Sequence, residues 1–196
     1  KETRNLIVNG AKEIISKYNV DGIHIDDYFY PTTENYFDQS AFSQSGSSNR
    51  SQWRLDIVSG MVKELYSGIK ATNPSVVFGV SPQGNISNNY SFQYADVRKW
   101  TSQNGYLDYI VPQIYFGFNN KTQPYETNLK SWCDMVTNPN VKLVVGLAAY
   151  KIGTVESTGE WKNDKRILAR QIEAFRKSNK YGGAAFFRYD SLFCPS

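Results

Sequence analysis

Short apolar segments alternate with amphipathic segments along this chain of 196 residues, and the alternation constrains its fold more than any other feature. The order is a helix, then strand, loop and helix four times over, then a last strand. Strands that alternate with helices predict a parallel sheet with right-handed crossovers. The predicted strands lie around Ile25 and at 76–80, 108–115, 142–147 and 184–187.

Apolar residues at helical spacing predict the helices between these strands. The helices are expected at 2–18, 53–69, 95–103, 125–136 and 164–178. Residues 32–50 are polar and show no sustained period, so they predict a long loop of the kind that often carries function. Pro112 cannot donate a ladder hydrogen bond and therefore predicts irregular pairing in its strand.

The loops that follow the predicted strands are longer and more polar than those before them, which is typical of a barrel with one functional rim. A complete (β/α)8 barrel takes about 250 residues, so five strands predict an α/β fold that is part of a TIM-type barrel. Residues 1–196 are expected to form a single domain, and the abrupt start within a helix suggests a fragment. An open doubly wound sheet is the alternative, although no G-x-G-x-x-G or P-loop pattern marks a nucleotide crevice.

Composition excludes several classes of protein. The net charge is +4 with scattered Lys and Arg, which does not favour nucleic-acid binding. One histidine and two distant cysteines, Cys133 and Cys194, show no metal-ligand spacing, so neither a metal nor another cofactor is expected. No run approaches the roughly 20 apolar residues of a membrane span. The 15% aromatic content fits either core packing or stacking platforms for sugar rings.

One predicted strand has an unusual polar face. Within residues 20–31, Ile23 and Ile25 alternate with His24 and Asp26, the period of a strand with two different sides. The only histidine of the chain therefore shares a face with a carboxylate near the end of an apolar strand. The carboxyl end of a parallel strand is where α/β enzymes place their catalytic groups.

The stretch Val-Asp-Gly-Ile-His-Ile-Asp-Asp-Tyr-Phe-Tyr-Pro at 20–31 resembles the signature of the glycosyl-hydrolase-like family 10 domain, the YngK/YddW-type group. Three further pieces agree in the same order: Gly-Val-Ser-Pro at 79–82, Val-Pro-Gln-Ile-Tyr at 111–115, and 183–192. The resemblance implies a TIM-barrel glycosidase, with this chain covering about strands 4 to 8. It also implies a bacterial cell-wall-type substrate, such as peptidoglycan strands stripped of their stem peptides. A secreted or cell-envelope location follows by the same analogy, with a lipoprotein as one form.

The motif is also similar to those of two larger groups of barrels. Chitinase-like enzymes carry D-G-x-D-x-D-x-E, in which His24 here replaces the middle Asp and Tyr28 stands in place of the terminal Glu. Amylase-like enzymes carry G-F-R-x-D, whose Asp is the nucleophile and corresponds to Asp26. The first departure argues against a simple transfer of the chitinase mechanism, and both comparisons support Asp26.

Asp26 is therefore the predicted nucleophile or base. His24 lies one layer deeper on the same face and is expected to hydrogen-bond Asp26 or a sugar hydroxyl, with a purely structural role equally open. Asp27 is included among the substrate-binding candidates, although alternation turns it to the other face and favours a brace for the following loop.

Glycoside hydrolysis generally uses two carboxyl groups, about 5–5.5 Å apart for retention and about 6.5–9.5 Å apart for inversion. Asp26 and Asp27 point to opposite faces, so they are not expected to be this pair. The candidates for the second group lie in the loops after the first and fourth strands: Glu34, Asp38, Glu156 and Glu160. A solvated loop charge is the alternative for each.

The remaining substrate-binding candidates lie at strand ends or in rim loops. Gln113 and Tyr115 share a face and are expected to bind hydroxyls or stack on a ring, or else to pack inside the barrel. Arg188 ends the last strand, where a buried arginine would clamp a sugar carboxylate, orient Asp26 or form a structural ion pair. The candidate stacking platforms are Tyr28, Tyr150 and Trp161.

Two functions stay open from the sequence. The first is a glycosidase acting on an N-acetylated bacterial glycan, and the second is a carbohydrate-binding barrel without turnover. The expected partner in both is a polysaccharide or oligosaccharide. The open edges of a partial sheet also leave room for a homo-oligomer.

Overall fold

The computed structural model describes residues 2–26 and 28–193, which form a sheet of five parallel strands in the order β1-β2-β3-β4-β5. The strands are β1 Gly22–Asp26, β2 Val77–Ser81, β3 Tyr109–Ile110, β4 Lys142–Ala148 and β5 Tyr181–Phe187. Each strand pairs in parallel with the next one along the chain, so helical crossovers connect neighbours. The predicted α/β class with a parallel sheet is confirmed.

Helices fill the connections. They are α1 Glu2–Lys17, α2 Gln39–Ser45, α3 Arg50–Thr72, α4 Ile86–Ser91, α5 Val97–Ser102, α6 Tyr125–Met135, α7 Glu160–Asn163, α8 Ile167–Arg176 and α9 Tyr189–Phe193. Short 3-10 turns occur at 35–38 and 149–151. No helix in these described segments has both the length and the apolar character that crossing a membrane requires.

Helix α3 shows why these segments become helical. Asn49 caps its first turn by accepting a hydrogen bond from the Gln52 N–H at 3.0 Å. Apolar residues at helical spacing, including Val58, Val62 and Leu65, form its buried face. Burial of each such side chain contributes about 1.5–3 kcal/mol, which gives this helix most of its stability.

The core lies between the sheet and this helical layer. Phe78, Val80 and Val145 point from the strands into the core, whereas the alternate residues point to the other face of the sheet. Two buried tryptophans tie this layer together through their indole N–H groups: Trp100 donates to the Ser59 hydroxyl at 3.0 Å, and Trp132 donates to the Gly84 carbonyl at 2.7 Å. Helices therefore cover one face of the sheet at β2, β3 and β4, whereas β5 is more exposed.

Two predicted elements differ from the structure. Residues 32–50 were expected to be a loop, but they contain helix α2 and a 3-10 turn. Helix α2 buries none of its seven residues, so it leaves no apolar period to detect. Strand β3 has two residues instead of the predicted 108–115, because Pro112 interrupts the ladder. Beyond it, Gln113 makes isolated bridges with Gln83 and Gly146.

Candidate active site

Strand β1 places its polar side chains on the face of the sheet that the helices leave uncovered. Ile23 and Ile25 pack against the core, whereas His24 and Asp26 are exposed. Asp26 is the last residue of the strand and pairs in register with Ser81, the last residue of β2. The predicted placement of Asp26 at the carboxyl end of a strand, on the open face, matches the structure.

Gln113 connects Asp26 to Tyr28. Its side-chain Nε2 donates to Asp26 Oδ1 at 2.6 Å, and its Oε1 accepts from the Tyr28 hydroxyl at 2.9 Å. The Gln113 side chain is buried, and the bridges to Gln83 and Gly146 hold its backbone. Because each end of the amide has a different partner, the amide donor is directed at the carboxylate.

A second pair lies one layer below Asp26. The rings of His24 and Tyr109 stack 5.7 Å apart, and His24 Nδ1 lies 3.0 Å from the Tyr109 hydroxyl. Gly79 makes room for this contact, since a Cβ there would lie 2.1 Å from the Tyr109 ring. Burial lowers the pKa of His24, and the nearby charge of Asp26 opposes only part of that shift. The imidazole is therefore neutral at pH 7. Its side-chain partner is Tyr109 and not Asp26, and a contact with a sugar hydroxyl stays a prediction.

Sequence reasoning did not single out Tyr109, although a signal was present. Tyr109, Val111 and Gln113 alternate along one segment, and strand parity places all three on one face. Their neighbours Ile110 and Ile114 are buried in the core. Extending the parity from Gln113 back to Tyr109 would have found this residue.

Aromatic rings form one wall of the site. Tyr115 contacts Tyr150 edge-to-face at 6.0 Å and Phe187 at 6.2 Å, and Tyr150 also contacts Phe187 at 6.2 Å. Tyr150 and Phe187 are substantially exposed, so their rings are accessible. Burial, and after it the charge of Asp26, raise the pKa of the Tyr28 and Tyr115 hydroxyls. Both hydroxyls therefore keep their protons at neutral pH and can donate hydrogen bonds.

A cavity of about 280 Å³ opens beside this wall. Its lining includes His24, Asp26, Tyr109, Tyr115 and Phe187. Asp26 is the only carboxylate among the described residues that line it. Also within the described residues, no group of three or more His, Cys, Asp or Glu side chains is placed to hold a metal ion.

The prediction of Asp38 as a second catalytic carboxylate is wrong, because Asp38 is buried in an ion pair with Arg54. Arg54 donates to both of its oxygens, from Nε to Oδ2 at 2.6 Å and from Nη2 to Oδ1 at 2.9 Å. Arg50 donates to Oδ1 at 2.5 Å, and Tyr30 donates to Oδ2. Hydrogen bonding from Arg54 is the main reason that the pKa of Asp38 lies well below its usual range.

The predictions that Glu160 and Trp161 lie in the cleft are also wrong. Glu160 is buried and accepts hydrogen bonds from the backbone N–H groups of Phe118 and Asn119, each at 3.0 Å. It therefore holds the loop after β3. Trp161 is 1% exposed and packs in a small cluster beneath that loop, so a sugar cannot stack on it.

The other charged candidates lie outside the cavity. Arg188 was expected to be buried, but its side chain is 63% exposed and pairs with Asp190 at 3.2 Å, so it does not orient Asp26. Glu156 pairs with Lys151 at 2.8 Å, and Glu34 is exposed in the loop after β1. Neither glutamate lines the cavity next to Asp26. The predictions for Asp27 and Cys194 fall outside the described residues.

The parallel sheet and its helical layer define an α/β protein of the TIM-barrel type, with the Asp26 carboxylate at the carboxyl end of a strand. The chain belongs to the glycosyl hydrolase-like 10 family, which it matches over residues 1–163.

Two curated relatives are named as glycosyl hydrolases. Glycosyl hydrolase YngK of Bacillus subtilis is 35% identical over 97% of this chain and 41% of its own length. Glycosyl hydrolase DigH of Escherichia coli is 30% identical over 99% of this chain and 49% of its own length. The chain thus spans less than half the length of each of these relatives.

A solved structure supports the fold. A GH18 chitinase from Pseudoalteromonas aurantia superposes with a TM-score of 0.57 and 16% sequence identity, over 97% of this chain and 64% of that chain. This likeness concerns the fold alone. Together with the five parallel strands, it identifies the chain as part of a TIM-type barrel.

Proposed function

We propose that the protein is a glycoside hydrolase acting on an N-acetylated bacterial cell-wall glycan, such as denuded peptidoglycan, with Asp26 as nucleophile or base. The observation that carries the proposal is the Asp26 carboxylate, directed by Gln113 and exposed beside an aromatic wall. Membership of a glycosyl hydrolase-like family supports the reaction class. The choice of glycan rests on the sequence resemblance, and a secreted or envelope location is proposed with it.

The site residues have complementary roles in this proposal. Gln113 orients the Asp26 carboxylate, which both a nucleophile and a base require. Tyr115 and Phe187 offer rings on which the apolar face of a sugar can stack. Tyr28 and neutral His24 supply polar groups for sugar hydroxyls.

The second acid or base is still to be assigned. Glu34 and Glu156 stay candidates, because both are in loops that follow strands at the rim that carries Asp26. The presence of only one carboxylate in the described lining favours a second candidate function, a carbohydrate-binding barrel without turnover.

Product analysis distinguishes the two functions. Purified protein is incubated with denuded glycan strands, and released fragments are measured by mass spectrometry. We expect fragments from the wild type and a fall in rate of about 10²–10⁴-fold for Asp26→Asn, since positioned acid–base groups contribute that much. Asp21→Asn is the matched control, because it removes a carboxylate just before the same strand, at the opposite end from Asp26.

Two other outcomes would count against this proposal. Fragments released at the wild-type rate by a folded Asp26→Asn variant would remove Asp26 from the mechanism. Tight binding of strands without any fragments would favour the carbohydrate-binding function.

A further inference from the structure

The loop that follows β1 is held rigidly at residues 33–38, which we call the anchored loop. Arg54, whose side chain is 1% exposed, donates to the carbonyl oxygens of Thr33 and Glu34, each at 3.0 Å. The same guanidinium donates to both carboxylate oxygens of Asp38. One buried side chain therefore holds both ends of the anchored loop.

A second arginine holds its middle. Arg50 donates to the Asn35 carbonyl at 2.7 Å and to the Asp38 carboxylate at 2.5 Å. The Tyr30 hydroxyl also donates to Asp38, and its ring contacts Tyr94 edge-to-face at 5.1 Å. The anchored loop is thus fixed by charged hydrogen bonds and by ring contacts at once.

The two remaining residues of the anchored loop are aromatic and exposed. Tyr36 is 78% exposed and Phe37 is 52% exposed. Phe37 contacts the Tyr30 ring edge-to-face at 5.8 Å, which limits its movement. Tyr36 and Phe37 are therefore two neighbouring exposed rings on a rigidly held backbone, and we call this pair the Tyr36–Phe37 platform.

The buried ion pair beneath the platform is better explained by ligand binding than by stability. Burying an ion pair such as Arg54–Asp38 carries a large desolvation penalty, so it is a weak way to gain stability. Exposed rings add little to the core that they leave uncovered. A ring whose movement is already limited, as that of Phe37 is, loses little entropy when a flat partner stacks on it. Rigid support beneath exposed rings is thus suited to binding.

The position of the platform indicates which ligand this is. The anchored loop follows the carboxyl end of β1, so it belongs to the same rim as Asp26. Tyr28, which hydrogen-bonds Gln113 in the Asp26 cavity, begins the connecting segment. The platform residues do not line the cavity, so only a ligand that extends beyond the cavity along this rim can contact them.

We propose that the Tyr36–Phe37 platform is an accessory subsite that stacks sugar rings of a long glycan chain beyond those held beside Asp26. The inference rests on the proposed function, because it takes the cavity occupant to be part of the same polysaccharide. The protein is thereby selective for long strands over short oligosaccharides.

The test measures binding, so it does not depend on turnover. Long denuded peptidoglycan strands and a tetrasaccharide of the same repeat are titrated against the wild type, the Tyr36→Ala/Phe37→Ala double variant and Tyr18→Ala. Tyr18 is the matched control, because it is 65% exposed and precedes β1, at the opposite end of the strand. We expect the double variant to bind long strands about tenfold more weakly and the tetrasaccharide less than twofold more weakly, because lost stacking is felt only by chains that reach the platform.

Each contrary outcome overturns the subsite. Unchanged affinity of the double variant for long strands, an equal loss for the tetrasaccharide, or an equal loss in Tyr18→Ala would do so, as would a wild type that binds neither glycan. A thermal melt checks folding, and Tyr36→Ala alone repeats the test if the double variant unfolds. Failure of Asp26→Asn to lower hydrolysis would refute the catalytic assignment and leave this binding result standing, so the two failures are distinguishable.

Discussion

Replacing Gln113 by Glu would place a second carboxylate where an amide donor now contacts Asp26 at 2.6 Å. Two carboxylates this close cannot both ionise freely, and they share a proton. At about 3 Å, two unit charges repel by about 1.4 kcal/mol even at the dielectric constant of bulk water, and by about 5.5 kcal/mol at an effective value near 20. The lower figure already corresponds to about one pH unit.

We therefore expect the acid limb of the pH–rate profile for glycan hydrolysis to move up by about one pH unit or more in Gln113→Glu. The reason is that an ionised Asp26 becomes available only after the shared proton is lost. Gln113→Met is the control, because it removes the donor without adding charge. It should lower kcat by about 10–100-fold, the effect of losing a hydrogen bond to a charged group, with a smaller movement of the limb.

A stability measurement checks the same repulsion without any substrate. The shared proton is held more tightly in the folded protein than in the unfolded chain. The unfolding free energy of Gln113→Glu should therefore fall as the pH rises from about 4 to 7, relative to Gln113→Met. A folded Gln113→Glu variant with the wild-type acid limb and the wild-type pH dependence of urea unfolding would refute the carboxylate–amide contact.

Other substitutions test the scaffold. Asp38→Ala should lower the free energy of unfolding in urea by about 3–5 kcal/mol, since it leaves Arg54 buried and unpaired, whereas Asp190→Ala, in an exposed pair, should lower it by less than about 1 kcal/mol. Because the pKa of Asp38 is depressed in the folded state, its contribution should be complete above about pH 5 and decline as acid protonates it below about pH 4, a decline that Asp38→Ala should lack. Gly79→Ala should displace the Tyr109 ring and lower the unfolding free energy by about 1–3 kcal/mol, and adding Tyr109→Ala should restore part of that loss.

Local patterns in the sequence were sufficient to predict the strand faces. Alternation in β1 placed His24 and Asp26 together because a strand repeats every two residues, whatever the rest of the chain does. The same parity placed Gln113 and Tyr115 on the open face. The parallel sheet followed from the order of strands and helices.

Long-range pairing could not be predicted in this way. Asp38 lies in a polar stretch and was assigned to the solvent or the cleft, but its partner Arg54 is on the buried face of a helix that begins later in the chain. Glu160 likewise pairs with backbone N–H groups more than 40 residues away. Such contacts depend on the packing of separate elements, which leaves no periodic signal in the sequence.

The exposure of aromatic side chains in loops was a second source of error. Trp161 and Tyr150 belong to the same segment after β4, and both were predicted as stacking platforms. Only Tyr150 is exposed, because the 3-10 turn at 149–151 places it at the rim, whereas Trp161 packs on Ile167 beneath the loop. The difference comes from the path of the loop, which an aromatic residue type does not encode.

The most direct test of the central claim is a crystal structure of the Asp26→Asn variant with an oligosaccharide from denuded peptidoglycan strands. We predict a sugar ring in the cavity that stacks on Tyr115 or Phe187, with its anomeric carbon next to the residue 26 side chain. A glycan bound elsewhere on the rim, with the residue 26 side chain out of its reach, would contradict the assignment of Asp26 to the reacting centre.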